Sequence, residues 1–476
     1  MYTCDRCLKE FTQKSHYNKH VQRKTPCQMN HTIKDVENMM VNEKREIRLN
    51  KKLIQDNTNG IPQTNNMKFI DLCCGIGGFH QALKNIGFEC VWASDIDEEC
   101  RKNYKLNYHM EPNDDFTKVN IQDIPHFNIL CAGFPCQPFS KAGEQKGFND
   151  TRGNLFFDIC KIIEFHKPEY ILLENVRNLA SHDKGNTWKV IYDSLDKLNY
   201  YTYSKPVILN TLYFGVPQSR ERVVILCKRK DLGQLPELPS ITKKCIQQTN
   251  LSTIIQDDVS PKYHIHGKLK VVETVWNEFI QLCNVNNIQI PKFPIWTDWW
   301  DSDGNNTTVT KYDNKLSEEE NKMNILKKQT LFYKKYKKWI DDNRKFYNKH
   351  KRVLQPWLIK SREQELWTGA VRKMEWQTNH NTININQALW SPRGSGIRIK
   401  NIDYSPTLVA MASMIPIYGP QSRMLTPREC ARLQSFPEDY IIHSNDKIAY
   451  KQFGNAVNVK MIEKSARFLI KNQPMF

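Results

Sequence analysis

This chain of 476 residues contains 69 lysines and arginines against 51 acidic residues, which gives a formal net charge of +18. The length exceeds that of one compact domain, and the positive charge favours a polyanion such as nucleic acid as the partner. No apolar run approaches the roughly 20 residues that span a membrane, and no secretory signal opens the chain, so we expect an intracellular protein with reduced cysteines.

The first cluster of chemically active side chains lies in residues 1–30. Cys4 and Cys7 are separated by two residues, twelve more precede His20, and six more precede Cys27. This spacing is close to that of a zinc finger, although the last interval is longer than usual. We therefore predict a small zinc finger that needs its metal in order to fold. The alternative is a basic tail in which the cysteines are incidental.

A polar, charged stretch at 31–66 is predicted to be a linker. Beyond it, short apolar runs alternate with helical periodicity, as expected for a parallel sheet with helices between the strands. We place a catalytic, cofactor-binding domain at 67–235. Because open parallel sheets bind ligands at the carboxyl ends of their strands, we expect the chemistry there. The predicted strands are KFIDL (68–72), CVWAS (90–94), FNILCA (127–132), YILLE (170–174) and RVVILC (222–227).

The alternation is lost in the middle region, 236–395, which we take as a separate unit. Nine of the 11 tryptophans lie between Trp276 and Trp390. Its segment 322–352 is rich in lysine and arginine, with aromatic residues interleaved. Such a mixture suits a phosphate backbone and stacked bases. The alternative is an amphipathic helix whose aromatic side chains are core and whose lysines are solvated.

The first predicted strand leads into DLCCGIGGF (71–79). Gly75, Gly77 and Gly78 lie where the backbone must turn sharply and let a ligand approach. Asp95 ends the second strand, where it can bond ribose hydroxyls of either a nicotinamide cofactor or S-adenosylmethionine. The third strand ends in a proline and a cysteine and no hydride-handling site follows, so S-adenosylmethionine is the better ligand.

That third strand leads into GFPCQPFS (133–140), which presents Cys136 between two prolines. Methylating carbon 5 of cytosine requires a thiolate that adds at carbon 6. Glu174, in the motif ENV, is placed to act as an acid on ring nitrogen 3, unless it is a solvated helix cap. Arg220 and Arg222, in QSRER, open another strand, where an arginine could hold the cytosine oxygen. Either arginine could instead be a structural ion-pair partner.

In combination these motifs resemble the family of cytosine-carbon-5 DNA methyltransferases, in order from Lys68 to the C-terminus. Two late motifs extend the resemblance, LTPRECARLQSFP (425–437) and QFGNAV (452–457). The resemblance implies an α/β, Rossmann-like methyltransferase domain dependent on S-adenosylmethionine. It also implies an inserted target-recognition domain at 236–395 and a segment at 396–476 that completes the catalytic domain.

The resemblance further assigns roles to single residues. Cys136 would be the nucleophile and Glu174 the catalytic acid, with Arg222 in contact with the base. Asp95 would bind the cofactor ribose and Asp115 the adenine amino group. The cofactor-binding set that it implies is Asp71, Cys73, Gly75, Gly77, Gly78, Phe79, Asp95, Ile96, Asp115, Phe116, Pro135, Asn455 and Val457.

The segment 140–154 resembles the mobile loop that closes over a flipped cytosine, with Ser140 and Arg152 as DNA contacts. The chain departs from the family pattern at three positions. Cys73 stands where many members have Phe, and Asp95 stands where Glu is common. Asn128 stands where Asp is frequent.

The function that follows is methyl transfer to cytosine in a specific sequence of double-stranded DNA. We expect S-adenosylmethionine and zinc as cofactors, a monomer, no membrane partner, and a cognate restriction endonuclease as a candidate partner. One rival function is tRNA methylation, by a branch of the same family with an almost identical active site. The other is a catalytically silent protein that only binds nucleic acid. The sequence does not specify which DNA site is methylated.

Overall fold

The computed structural model describes residues 2–3, 10–22, 67–135, 155–301, 317–378, 382 and 384–476. The chain divides into two compact units, Met1–Asn65 and Asn66–Phe476. In the first unit, β1 (Tyr2–Thr3) pairs antiparallel with β2 (Glu10–Phe11), and α1 (Lys14–Val21) follows. The predicted linker at 31–66 lies outside the described residues.

A seven-stranded sheet forms the centre of the larger unit, in the order β4-β3-β5-β6-β10-β7, with β8 also paired to β10. Within this sheet, the strands β3, β4, β5 and β6 are parallel to one another. The strands are β3 (Lys68–Leu72), β4 (Glu89–Ser94), β5 (Ile129–Ala132), β6 (Tyr170–Val176), β7 (Tyr200–Tyr201), β8 (Val207–Asn210) and β10 (Glu221–Arg229), and β9 (Gln218–Ser219) lies outside this sheet.

The fifth predicted strand, 222–227, lies within β10 but does not continue the parallel pattern. β10 is antiparallel to both β6 and β8. Only ten residues, 211–220, join β8 to β10, and they contain no α-helix. Because a parallel connection needs a longer crossover, a connection of this length favours an antiparallel pair. The amino end of β10 therefore lies at the same sheet edge as the carboxyl end of β6.

Apolar side chains alternate between the two faces of this sheet, and helices cover both. Ile129 and Cys131 belong to one hydrophobic cluster, whereas Leu130 and Ala132 belong to the other. This period of two is that of a strand buried on both sides. The helices of the unit outside the middle region are α2 (Gly78–Lys84), α3 (Glu98–Tyr108), α4 (Leu155–His166), α5 (Asn186–Lys197), α9 (Pro427–Leu433), α10 (Asp446–Asn455) and α11 (Val459–Lys471).

A second, six-stranded sheet has the order β11-β12-β14-β13-β16-β17. Its core is rich in tryptophan, with Trp276, Trp357, Trp367 and Trp390 in one hydrophobic cluster. The remaining elements are α6 (Lys268–Val285), β11 (Ile295–Trp296), α7 (Glu318–Lys349), α8 (Lys351–Arg362), β12 (Lys373–Gln377), β13 (Leu389–Arg393), β14 (Gly396–Lys400), β15 (Ser405–Pro406), β16 (Ile417–Tyr418) and β17 (Arg423–Met424). β15 pairs with β9.

The predicted boundary after residue 395 does not coincide with an edge of this sheet. It falls in the turn of the hairpin that joins β13 to β14, and the sheet continues to β17. The sequence signal was the loss of alternation and the tryptophan-rich stretch that ends at Trp390, and this composition does not mark the end of a packed layer.

The aromatic side chains of α7 are packing residues. Phe332 and Trp339 contact Trp296 with ring centroids 5.8 and 5.2 Å apart, and Phe332 stacks on Trp299. Stacking on nucleic-acid bases is therefore not the role of these rings, and the amphipathic-helix interpretation holds for them. The lysines between them remain exposed, for example Lys335. Within the described ranges, no helix is long and apolar enough to cross a membrane.

Candidate active site

The crevice of the main sheet lies where the strand order reverses. After β3 the chain builds β4 on one side of it and then β5 on the other, so the carboxyl ends of β3 and β5 lie at a topological switch point. Segments 73–78 and 133–135 leave the sheet there. Two of the predicted motifs are thus brought together by the topology.

The glycines after β3 are required by the backbone. Gly75 and Gly77 have φ angles of +53° and +82°, a region that favours glycine. A Cβ atom at Gly77 would lie 2.2 Å from the Tyr108 ring, and one at Gly78 would lie 2.5 Å from the carbonyl oxygen of Val457. Gly78 therefore packs directly against the late motif, and Val457 lies beside the glycine loop.

Carboxylates surround Cys73 in this loop. Burial, together with the charges of Asp95, Asp71 and Asp115, raises the pKa of the Cys73 thiol to about 12. This thiol is therefore a packing group rather than a nucleophile. Asp115 reaches the site because its segment runs beside the end of β4, where Asp95 N–H donates to the Asn113 carbonyl at 2.9 Å.

Asp71 and Asp95 differ in the hydrogen bonds that their carboxylate oxygens accept. Asp71 is fully buried, and neither oxygen has a hydrogen-bond partner within the described ranges. Burial raises its pKa well above the ordinary value. Asp95 accepts from the Gly75 N–H at 2.7 Å and from the Asp97 N–H at 2.8 Å. Each carboxylate has about four lone-pair positions, so both retain capacity for a ligand with several donors.

The other predicted cofactor contacts differ from one another in their exposure to solvent. Ile96 follows Asp95 and is 78% exposed, whereas Phe79 and Phe116 are buried in the two hydrophobic clusters. Hydrogen bonds from Thr117 lower the pKa of Asp115, which is therefore ionised at neutral pH. Pro135 is exposed at the end of its segment.

Glu174 and Arg222 form an ion pair at the same sheet edge. Glu174 Oε1 lies 2.9 Å from Arg222 Nε, and the two side chains are only 10% and 12% exposed. The antiparallel register sets this contact, because Val224 lies opposite Glu174, and Arg222 lies two residues from Val224 along β10 and therefore on the same face of the sheet. Little solvent screens the pair, so its attraction is stronger than that of a surface ion pair.

Arg220 is placed differently from Arg222. It is 1% exposed, and its guanidinium donates to the backbone carbonyls of Leu408, Gly454 and Ala456. Burial lowers its pKa to about 9, so it remains a cation at neutral pH. Arg220 therefore holds the backbone on either side of exposed Asn455, and it is Arg222 that forms the ion pair with Glu174.

Asn175 is a site residue that the sequence analysis missed, although it is the middle letter of ENV. It is 2% exposed, and its amide donates to the Phe134 carbonyl at 2.8 Å. Its side-chain oxygen accepts from the Val176 N–H at 2.8 Å. Asn175 thus ties the end of β6 to the segment that precedes Cys136.

Several predicted site residues lie outside the described residues, namely Cys136, Ser140, Arg152, Cys4, Cys7 and Cys27. His20, the fourth predicted zinc ligand, is buried on α1. Three of the four predicted zinc ligands thus lie outside the described residues. Among the residues that the structure describes, no group of three potential metal ligands occurs.

The doubly covered sheet, its glycine loop and the Glu174–Arg222 pair define an α/β methyltransferase. Residues 67–471 match the family model described as C-5 cytosine-specific DNA methylase. The chain belongs to this family.

Curated relatives match over most of the chain. Type II methyltransferase M.BanI from Aneurinibacillus aneurinilyticus is 34% identical over 85% of this chain and 96% of its own length. M.HhaI from Haemophilus parahaemolyticus is 30% identical, over 84% of this chain and 93% of its own length. M.HaeII from Haemophilus aegyptius is 45% identical over 206 residues, which are 43% of this chain and 62% of that protein.

Proposed function

We propose that this protein is a DNA (cytosine-5-)-methyltransferase that modifies cytosine in a specific sequence of double-stranded DNA. The observation that carries the proposal is the buried pair of Glu174 and Arg222, at the sheet edge where segment 133–135 leads to Cys136. The similar proteins M.BanI and M.HhaI are, by their names, type II methyltransferases.

The residues around Cys73 fit S-adenosylmethionine. The unpartnered carboxylate of Asp71 suits a donor-rich ligand, Asp95 suits ribose hydroxyls, and Asp115 suits the adenine amino group. The tight approach of Gly78 to Val457 closes the loop without a side chain in the way. S-adenosylmethionine, when bound, supplies the methyl group as an electrophile.

The protein residues act on the base. The Cys136 thiolate forms a bond to carbon 6 of a flipped cytosine, and the ring electrons shift so that carbon 5 becomes nucleophilic. Glu174, which is paired with Arg222 before the base enters, takes up a proton from solvent and passes it to ring nitrogen 3 as the adduct forms. Arg222 holds the cytosine oxygen and stabilises the carboxylate left on Glu174. After methylation the proton on carbon 5 passes to solvent, the bond between carbon 6 and Cys136 Sγ breaks to restore the thiolate, and ring nitrogen 3 returns its proton to Glu174.

Bisulfite sequencing of DNA from a host that expresses the protein tests this function. We expect protected cytosines at one short sequence, because a specific methyltransferase marks every copy of its site. Cytosines that remain unprotected, in a host where the folded protein is present, would contradict the proposal. A Cys136→Ser variant expressed at the same level is the matched control.

The unit around residues 236–424 is proposed to recognise the DNA sequence. The support is its position as a separate sheet within the chain, together with the exposed lysines of α7. We further propose that the protein acts as a monomer, in a restriction-modification pair with a cognate endonuclease. Analytical ultracentrifugation with and without duplex DNA tests the monomer.

We also propose that residues 1–30 form a zinc finger of the CCHC-ligand type, with Cys4, Cys7, His20 and Cys27 as ligands. The support is the ligand spacing and the strand-strand-helix order of the described parts of this unit. Metal analysis should give about one zinc per chain if four ligands close the site. A Cys7→Ser variant that retains full zinc would contradict this assignment.

A further inference from the structure

A cleft lined by positive side chains opens next to the Glu174–Arg222 pair. It has a volume of about 440 Å³ and lies between the main sheet and the hairpin β13–β14 of the second sheet. We call it the cationic cleft, defined by its five cations, Arg177, Arg222, Arg393, Arg398 and Lys400. Arg177 and Arg222 come from the catalytic sheet edge, and the other three come from the hairpin.

The strand register explains why the hairpin cations point the same way. In the hairpin, Arg393 lies opposite Gly396, Ser391 opposite Arg398, and Leu389 opposite Lys400. Because side chains on a strand alternate between faces, these residues share one face, whereas Ile397 and Ile399 face the tryptophan-rich core. The cationic face therefore follows from the period of the strands.

Two of the five cations have no carboxylate partner in the described ranges. Arg177 pairs with Glu221 at 2.9 Å, Arg398 with Glu375 at 2.9 Å, and Arg222 with Glu174. Arg393 has a buried Nε atom without any hydrogen-bond partner in this part of the chain. Lys400 forms no ion pair within the described ranges, and its ammonium lies 5.8 Å from the centroid of the Tyr404 ring. The charge of Glu375, the partner of Arg398, acts on both Lys400 and Arg393.

Placing these partly buried cations around one cleft costs free energy when no anion is bound between them. Arg393 and Lys400 are each about half-buried, and burial followed by the charge of Arg398 lowers the pKa of both. A partly buried cation without an ion-pair partner of its own costs free energy, and an anion in the cleft would offset that cost. The volume is also much larger than the roughly 30 Å³ occupied by a water molecule.

We propose that the cationic cleft binds a phosphate of the DNA backbone next to the target cytosine, with Arg393 and Lys400 as its principal contacts. The inference rests on the proposed function, since the same DNA must present its cytosine to Glu174 and Arg222. A planar guanidinium matches phosphate geometry with two donors, and an ammonium adds a point charge. Phosphate contacts of this kind fix the register of the protein on the duplex without reading sequence.

The experiment combines protein variants with DNA in which one phosphate at a time, near the target cytosine, is a neutral methylphosphonate. Binding is measured without methyl transfer, on the duplex sequence that bisulfite sequencing identifies. We expect one flanking position at which the neutral group weakens wild-type binding about tenfold, and Arg393→Ala to weaken binding to the unmodified duplex by a similar factor. On that duplex Arg393→Ala should also reduce the slope of log Kd against log salt by about 0.9.

The decisive result comes from combining a protein variant with the modified DNA, because two changes that remove the same contact do not have additive effects on the binding free energy. Arg393→Ala and Lys400→Ala should lose the sensitivity to the methylphosphonate at that position. The control Lys228→Ala, about 20 Å from Arg222 at the other end of β10, should keep the wild-type pattern. Melting temperatures show that each variant is folded.

The proposal would be overturned if, in folded variants, the losses of binding free energy from the protein substitution and from the methylphosphonate were additive at every flanking position. Failure of this proposal is distinguishable from failure of the proposed function, because the latter appears already as unprotected cytosines in bisulfite sequencing, whereas the former appears as additive losses of binding on a sequence that the protein methylates. Binding that is equally strong to tRNA, with the same dependence on Arg393, would overturn the assignment to DNA.

Discussion

Replacing Arg220 and Arg222 separately by methionine distinguishes a positioning arginine from a catalytic one. Arg220 donates to three buried carbonyls, those of Leu408, Gly454 and Ala456, and methionine would leave them without donors. Each unsatisfied buried group costs about 1–3 kcal/mol, so the loss for three carbonyls is roughly 3–9 kcal/mol. A typical protein has a total stability of about 5–15 kcal/mol, so we expect a much lower melting temperature and little folded protein.

Arg222→Met should give the opposite result. Its side chain hydrogen-bonds within the described chain only to the Glu221 carbonyl and pairs with Glu174 beside an open cleft. We expect a moderately lower melting temperature, because Glu174 loses its partner, but a folded protein in which methyl transfer falls by about two to three orders of magnitude. Thermal melting and a labelled-methyl assay, normalised to folded protein, measure both effects. The reasoning would be refuted if Arg220→Met melted like the wild type and yet lost activity as completely as Arg222→Met.

Three further predictions concern the active-site support, the fold and the substrate. Asn175→Ala removes the donor to the Phe134 carbonyl, and we expect steady-state kinetics to show that kcat falls by a larger factor than KM rises. Changes in kcat and KM by the same factor would argue against a positioning role for Asn175. Arg423→Met leaves Glu429 buried without its partner, which should cost about 3–5 kcal/mol in denaturant unfolding, whereas an unchanged midpoint would contradict the importance of that pair. Duplex DNA should be methylated far faster than tRNA when both are offered with labelled methyl donor, and preference for tRNA would favour the rival function.

The strands and motifs of the catalytic half could be predicted from sequence because they are local. The runs 68–72 and 170–174 are apolar segments between polar ones, and the structure has strands at both. The direction of β10 could not be predicted from its composition, since antiparallel and parallel strands have the same side-chain alternation when both faces are buried. It depended instead on the short connection from β8.

The roles of the two arginines could not be separated by sequence for a related reason. Arg220 and Arg222 lie two residues apart, and only tertiary contacts place one among the carbonyls of segment 454–456 and the other beside Glu174. Arg393 was not predicted at all, because no spacing in the sequence connects the hairpin to the catalytic edge. The chemistry of single motifs was therefore more predictable than the surfaces formed between distant segments.

The covalent role of Cys136 is tested most directly with duplex DNA that carries 5-fluorocytosine at the target position. Fluorine cannot leave carbon 5 as a proton does, so the bond to Cys136 should persist after methylation. We expect a protein–DNA complex that survives denaturation and requires S-adenosylmethionine, with the adduct on Cys136 by mass spectrometry and none in Cys136→Ser. An adduct of equal yield in Cys136→Ser, or attachment to a different residue, would contradict the mechanism.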